Sequence, residues 1–336
     1  MTTQMQILPA LAPEGAGLVS YPAAIPAADP RHLLGLAGMP RETLLELLEG
    51  GQRYRDQMDR GGIVSRALEG VTVCNAFFEN STRTRLSFEL AERRMGATVV
   101  TFSATDSSTM KGETLLDTLK VVEAMGVDVM VVRHASSGAA HYLARHLATT
   151  VINAGDGTHE HPTQGLLDLL TLRQVWSGRF AGRRLAIVGD IVHSRVARSA
   201  IHGLVTLGTE VTVAGPATLL PAGIETIGAR VAPTADEAIA GADAVMTLRL
   251  QKERMEQGLL ASLGEYTRHW GIDARRARLL KPEGVVLHPG PVNRGIELMP
   301  DVADGERSVI LEQVRNGVAM RCAVLERCVA ESRSVA

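Results

Sequence analysis

The stretch "VTVCNAFFENSTRTRLSFELAERRMG", residues 71–96, decides the fold. Its first eight residues form a short apolar run of the kind that makes a buried strand, and from Leu86 onward apolar side chains recur at helical spacing. Between them stand the hydroxyl residues Ser81, Thr82 and Thr84 and the arginines Arg83 and Arg85. A strand that feeds directly into a helix predicts a crossover unit and a parallel sheet. The junction also has its own chemistry. Free backbone N–H groups at a helix start, hydroxyl donors and a guanidinium can together cradle a phosphate. An N-cap serine followed by surface arginines is the plain alternative, and this segment alone leaves both readings open.

The same alternation extends outward. Upstream, "MPRETLLELLEGGQRYRDQM" reads as an amphipathic helix with Pro40 where a first turn tolerates it. Downstream, "TVVTF", "ETLLDTLKVVEAMG", "DVMVVR", "GAAHYLARHLA" and "TVINA" alternate strand and helix patterns. "HPTQGLLDLLTLRQVW" has an unusually broad apolar face, as expected of a helix linking two domains. A second series runs through "RRLAIVGD", "RVARSAIHGLVTLG", "EVTVAGP", "ADEAIAGA", "DAVMTLRL" and "EGVVLHPGP" to a final helix from about Ser308 to Val329. The expected class is α/β: two α/β/α domains with mainly parallel sheets, joined by interdomain helices. The expected boundaries are a flexible extension over 1–35, a first domain over 36–161 and a second over 162–308 with its linker helix at about 162–176. A terminal helix, 309–336, should pack back on the first domain.

Composition narrows the function classes. The chain has 336 residues, of which 45% are hydrophobic and 21% charged, which fits a globular two-domain protein and not a disordered one. A net charge of −2 gives no general attraction for nucleic acid or membrane surfaces, so any anion site must be built by local placement. Cys74, Cys322 and Cys328 lack CxxC spacing, which supports neither a disulfide framework nor a cysteine zinc site and suggests a reducing cytoplasm. The first 30 residues do not resemble a secretory signal, and no stretch approaches the roughly 18 uninterrupted apolar residues of a membrane span.

The motifs "STRTR", "DSSTMKGETLLDT", "VVRH", "NAGDGTHEHPTQGLLDLLTL", "GDIVHSRVARS", "TLRLQKER" and "HPGPVNRGIE" follow one another along the chain. In that order they resemble the aspartate and ornithine carbamoyltransferase family over nearly the whole length. Ornithine-using members carry "HCLP" and "SMG" motifs, whereas this chain has "HPGP" and "RLQKER", as aspartate-using members do. A cation-rich acceptor pocket also suits a dianion. The resemblance implies transfer of the carbamoyl group of carbamoyl phosphate to the amino group of L-aspartate. The products would be N-carbamoyl-L-aspartate and phosphate, an early step of pyrimidine synthesis, with no cofactor and no metal.

The same resemblance assigns residues. The first domain would hold carbamoyl phosphate through Ser81, Thr82, Arg83, Thr84, Arg133, His161 and Gln164, with Gly290 and Pro291 from the second. Aspartate would meet Ser107, Lys111, Arg195, Arg249, Gln251 and Pro289. The catalytic set would be Arg83, Thr84, Lys111, Arg133 and His161. Each residue also has a plainer reading: Arg133 as a solvated strand-end arginine, "SSTMKGET" as a surface loop, Arg249 and Gln251 as surface groups, "HPGP" as a rigid turn. His159 and His161 alternate along the chain and invite a metal reading, but without a further carboxylate or cysteine cluster they specify no site. "RRLAIVGDIVHSR" starts like a dinucleotide fold yet lacks GxGxxG, which argues against a nicotinamide-dependent dehydrogenase.

In the family, the loop bearing Ser107 and Lys111 completes the neighbouring subunit's site, which implies a homotrimer with shared active sites. A dihydroorotase-like or regulatory chain in a dodecamer is a further partner that the N-terminal extension suggests, and a merely disordered tail suits the extension equally. A catalytically silent scaffold is the reading from another class; the intact cationic motifs oppose it.

Overall fold

The computed structural model describes residues 29–61, 65–103, 113–251, 258–260 and 262–335. After α1 (Arg41–Asp59), four strands alternate with helices: β1 (Thr72–Phe77), α2 (Thr82–Arg94), β2 (Thr98–Ser103), α3 (Leu115–Ala124), β3 (Val129–His134), α4 (Ala139–Ala144) and β4 (Thr150–Asp156). These strands make an all-parallel sheet in the order β2-β1-β3-β4. Five of the six residues of β1 are buried, because helices cover both faces of a parallel sheet and leave no solvated side.

The helix α5 (Pro162–Val175) leads to the second sheet. Leu166, Leu167, Leu169, Leu170 and Leu172 are all buried, so the broad apolar face is covered nearly all round. It packs between α1, α6 and α11, and Gly165 allows the close approach: a Cβ there would sit 2.8 Å from Leu36 Cδ1 and 3.0 Å from Ser199 Cβ. The second half contains β5 (Arg184–Val188), α6 (Arg195–Thr206), β6 (Glu210–Ala214), β7 (Ala229–Val231), α7 (Ala235–Ile239), β8 (Ala244–Thr247), α8 (Leu263–Trp270), α9 (Ala274–Ala277), β9 (Val285–Leu287) and α10 (Pro300–Ala303). Its sheet is also all parallel, in the order β7-β6-β5-β8-β9. The final helix α11 (Ile310–Val335) returns to α1, α2 and α5. One apolar core runs from the first sheet through α5 and α11 into the second.

Five differences from the sequence reading concern short or terminal elements. β7 has only three residues and α8, α9 and α10 have four to eight, too short for a periodic signal to emerge. The last helix continues to Val335, past Val329.

Candidate active site

Each sheet reverses its strand order once, between β1 and β3 in the first and between β5 and β8 in the second. Ligands of open parallel sheets bind beyond the carboxyl ends of the strands at such reversals. Here those ends carry Glu79 to Thr84 after β1, Arg133 within β3, Asp190 to Arg195 after β5, and Leu248 to Gln251 after β8.

Ser81 is the N-cap of α2, but its side chain makes no capping hydrogen bond. The first amides of α2 therefore keep their donor capacity at the positive end of the helix, where Thr82 and Arg83 are exposed. Arg83 reaches the other half of the chain. Gly290 sits at φ +68°, and a Cβ there would collide with Arg83 Nη1, so the guanidinium rests on the backbone of "HPGP". That loop is set by its own hydrogen bonds: Gly290 N donates to His288 Nδ1 at 2.7 Å, and Asn293 N donates to Glu297 Oε1. Desolvation by the surrounding protein and then the like charge of Arg249 lower the pKa of Arg83. The arginine of the first half and the arginine of the second thus face one space.

A second convergence lies at Gly155, whose φ of +114° only glycine adopts readily. A Cβ there would stand 3.0 Å from Arg195 Nε and 3.1 Å from Arg133 Nη1. Arg133 Nη1 also donates to Ala154 O at 3.0 Å. Glu79 holds the two cations: its Oε2 accepts from Arg195 Nη2 at 2.7 Å and lies 3.3 Å from Arg133 Nε. Burial first, then the charge of Arg195, pushes the Arg133 pKa down to about 9, which leaves it protonated at neutral pH. Arg195 Nη1 is buried without a hydrogen-bond partner, a donor available to a ligand.

His161 is the N-cap of α5, with Pro162 at the first helical position. Its backbone N donates to Ser199 Oγ at 2.9 Å, and its ring Nδ1 is buried without a partner. Burial and then the charges of Arg133, Arg195 and Arg321 hold its pKa well below the ordinary value. At neutral pH the imidazole is uncharged and can offer one N–H to a carbonyl oxygen. One turn on, Gln164 Nε2 donates to Asp168 Oδ1 at 2.9 Å. The same oxygen accepts from Gln313 Nε2 at 2.7 Å, and Gln313 Oε1 accepts from His288 N at 3.0 Å. A buried chain of hydrogen bonds therefore links Gln164 to the "HPGP" loop through α11.

Of the residues singled out in the sequence, Ser81, Arg83, Thr84, Arg133, His161, Gln164, Arg195, Arg249, Pro289, Gly290 and Pro291 lie at these strand ends, helix starts and the "HPGP" loop. Gln251 Nε2 donates to His193 O at 3.2 Å, joining the ends of β5 and β8. Ser107 and Lys111 lie outside the described residues. Sequence reasoning missed Glu79, Gly155, Asp168 and Gln313. A carboxylate directly after an apolar run, in "FFEN", was the only local signal for Glu79. His159 and His161 do not alternate on an extended segment as expected: residues 157–159 form a turn beside the Asp156–Glu160 bridge, with His159 folded onto Asp156 and His161 at the N-cap of α5.

Comparison with known proteins fits this geometry. Residues 31–174 match the aspartate/ornithine carbamoyltransferase carbamoyl-P binding domain, and residues 181–328 match the Asp/Orn binding domain of the same family. The aspartate carbamoyltransferase catalytic subunit of Myxococcus xanthus is 54% identical over 300 residues, 89% of this chain and 100% of that protein. The aspartate transcarbamoylase of Trypanosoma cruzi, solved with carbamoyl phosphate, superposes with a TM-score of 0.79 at 32% identity, covering 88% of this chain and 95% of that one. The ornithine carbamoyltransferase of Thermus thermophilus gives 0.78 at 28% identity, covering 89% and 98%. With two matched domains, one on each side of a cleft lined by arginines from both sheets, the chain belongs to the aspartate/ornithine carbamoyltransferase family.

Proposed function

We propose that the chain is an aspartate carbamoyltransferase catalytic subunit acting in pyrimidine synthesis. It transfers the carbamoyl group of carbamoyl phosphate to L-aspartate, with carbamoyl phosphate held mainly by residues 36–161 and aspartate mainly by 162–308. The observation that carries the reading is the meeting of Arg133 and Arg195 at Gly155 beside a neutral His161. Two anions need cations from both halves, and a carbonyl needs neutral and charged donors together.

The amino nitrogen of aspartate attacks the carbonyl carbon with its lone pair, forming the C–N bond and a tetrahedral oxyanion. Arg133, His161 and Thr84 donate to that oxygen. The C–O bond to phosphate then breaks, and phosphate leaves with the electron pair beside Arg83, Ser81, Thr82 and the amides at the start of α2. The amine proton passes to a phosphate oxygen, so no protein base is required. Gln164 and the "HPGP" backbone, Pro289 to Pro291, orient the carbamoyl nitrogen. Arg195, Arg249 and Gln251 hold the two aspartate carboxylates, a pairing that disfavours the cationic side chain of ornithine.

Ser107 and Lys111 complete the site from a neighbouring subunit in a homotrimer. Leu86 on α2, 53% exposed, and Val100 on the edge strand β2, 44% exposed, support such an assembly, since apolar groups beside an open sheet edge favour a protein contact. A dihydroorotase-like or regulatory chain is a further partner in this reading. Three unpaired, buried cysteines are compatible with a cytoplasmic setting, and among the described residues no helix is long and apolar enough to cross a membrane. The test is a colorimetric assay of ureido product with carbamoyl phosphate and either aspartate or ornithine, alongside mass in solution. Product with ornithine alone, or with neither, overturns the assignment.

A further inference from the structure

A second cluster of chemistry lies on the far side of the turn that delivers His161. His159 folds back on Asp156, with its Nδ1 3.1 Å from Oδ2 and 3.2 Å from Oδ1. α4 brings His141 alongside: the two rings stand edge to face, with centroids 5.3 Å apart and planes at 72°. One nitrogen of each ring and one oxygen of Asp156 all lie within 4.8 Å of one another. Nδ1 of His141 is buried without a hydrogen-bond partner.

We propose that His141, Asp156 and His159 form a binding site for a divalent transition metal, with Zn²⁺ the best fit. Two imidazoles and a carboxylate are the ligand types that zinc selects, and three protein ligands leave a fourth position for water. Zinc bonds of about 2.0–2.1 Å in a tetrahedron put neighbouring ligand atoms roughly 3.3–3.4 Å apart. The Asp156–His159 pair is already near that spacing, and the His141 ring has to close by at most about 1.5 Å.

The carboxylate is pre-oriented as a ligand should be. Asn153 Nδ2 donates to Asp156 Oδ1 at 2.9 Å, Glu160 N to Oδ1 at 3.2 Å, and Gly138 N to Oδ2 at 2.6 Å. Such outer hydrogen bonds fix a metal ligand's geometry. Both histidines are partly exposed, which leaves an entry path. The surrounding charges balance: Glu160 adds to Asp156, while Arg145 and Arg198 oppose them. With no thiolate and no net negative field, binding should be weaker than at a structural cysteine site. The metal would staple α4 to the turn before His161, and it takes no part in the carbamoyl chemistry. This inference does not depend on the proposed function.

The test is titration of the chelator-stripped full chain with Co²⁺ alone, followed by visible d–d absorption, with Zn²⁺ then added as competitor. One equivalent of Co²⁺ with bands of four-coordinate intensity, displaced by Zn²⁺, is expected. His141→Ala and His159→Ala should each weaken binding at least tenfold, His159→Asn should do the same while keeping a polar group in the turn, and His269→Ala on α8 should not. Thermal melts of the metal-free variants establish that they fold. Absence of Co²⁺ binding, or equal binding by the His141 and His159 variants and the unaltered chain, overturns the site.

Discussion

Glu79 and Arg195 are 116 residues apart in sequence and joined by a 2.7 Å hydrogen bond between Oε2 and Nη2. One comes from the end of β1 and the other from the start of α6, so the contact ties the two sheets at the mouth of the cleft. Both side chains are largely shielded, at 20% and 12% exposure, so removing one partner costs more than at a surface bridge. Glu79→Ala would leave Arg133 and Arg195 repelling each other without a screen. Loss of a competitor for the substrate carboxylate would lower KM, but loss of both positioned arginines is the larger effect. A drop of tenfold or more in kcat/KM for aspartate is expected from steady-state kinetics; an unchanged value would remove the positioning role.

Arg249 lies close enough to Arg83 to lower its pKa, and we propose that it holds an aspartate carboxylate. Hydrogen bonds to charged groups contribute about 1.5–3 kcal/mol each. Arg249→Ala, losing two, should therefore lower kcat/KM for aspartate by roughly a hundred- to about twenty-thousand-fold. Carbamoyl phosphate affinity, measured by calorimetry, should change far less. Equal loss for both substrates would place Arg249 elsewhere.

Gln313 divides its amide between Asp168 and the backbone of His288. Gln313→Leu would strip a donor from a buried carboxyl and an acceptor from a buried N–H, each costing about 1–3 kcal/mol. Urea denaturation should register the loss of stability. A fall in kcat should accompany it, because Gln164 and the "HPGP" loop are both set by this residue. Stability loss with kcat intact would make Gln313 a packing residue only.

Glu92 is fully buried against Asn75, and burial pushes its pKa from 4.5 up to about 8. The native chain thus keeps a proton that the unfolded chain has already released. Its contribution is full below about pH 4.5 and is lost as pH rises toward 8. Relative to the unaltered chain, Glu92→Gln should gain about 1.4 kcal/mol of stability per pH unit across that window. Denaturation curves at several pH values read the difference directly. A difference that is flat with pH, or that falls, would mean that Glu92 is ionised in the native chain.

The alternation of strand and helix was legible from residue 71 onward because parallel strands buried on both faces are continuous apolar runs, such as "VTVCNAFF". The junction at Ser81 to Thr84 was legible as an anion cradle for a local reason: strand end, hydroxyls and helix start are contiguous. Glu79 was not, since its partners Arg133 and Arg195 are brought to it only by the strand reversals. Gln313 was hidden in the same way, on a helix that touches the cleft only after the chain has built both sheets. The pairing of His159 with Asp156 depended on a tight turn that alternation along the chain cannot reveal.

The return of α11 to α1 has a consequence for synthesis. Leu44, Leu47, Leu48 and Tyr54 of α1 are buried, and Gly50 and Gly51 let α11 lie directly on its backbone, against Met320 and Ala323. Arg327 even donates to Pro30 O at 3.0 Å. On the ribosome, the first sheet therefore emerges complete in its strands yet missing one wall, and it must wait for residues 310–335. The apolar stripe of α1 stays uncovered during that interval, and the helix made last is the one that closes the sheet whose strands are made earlier.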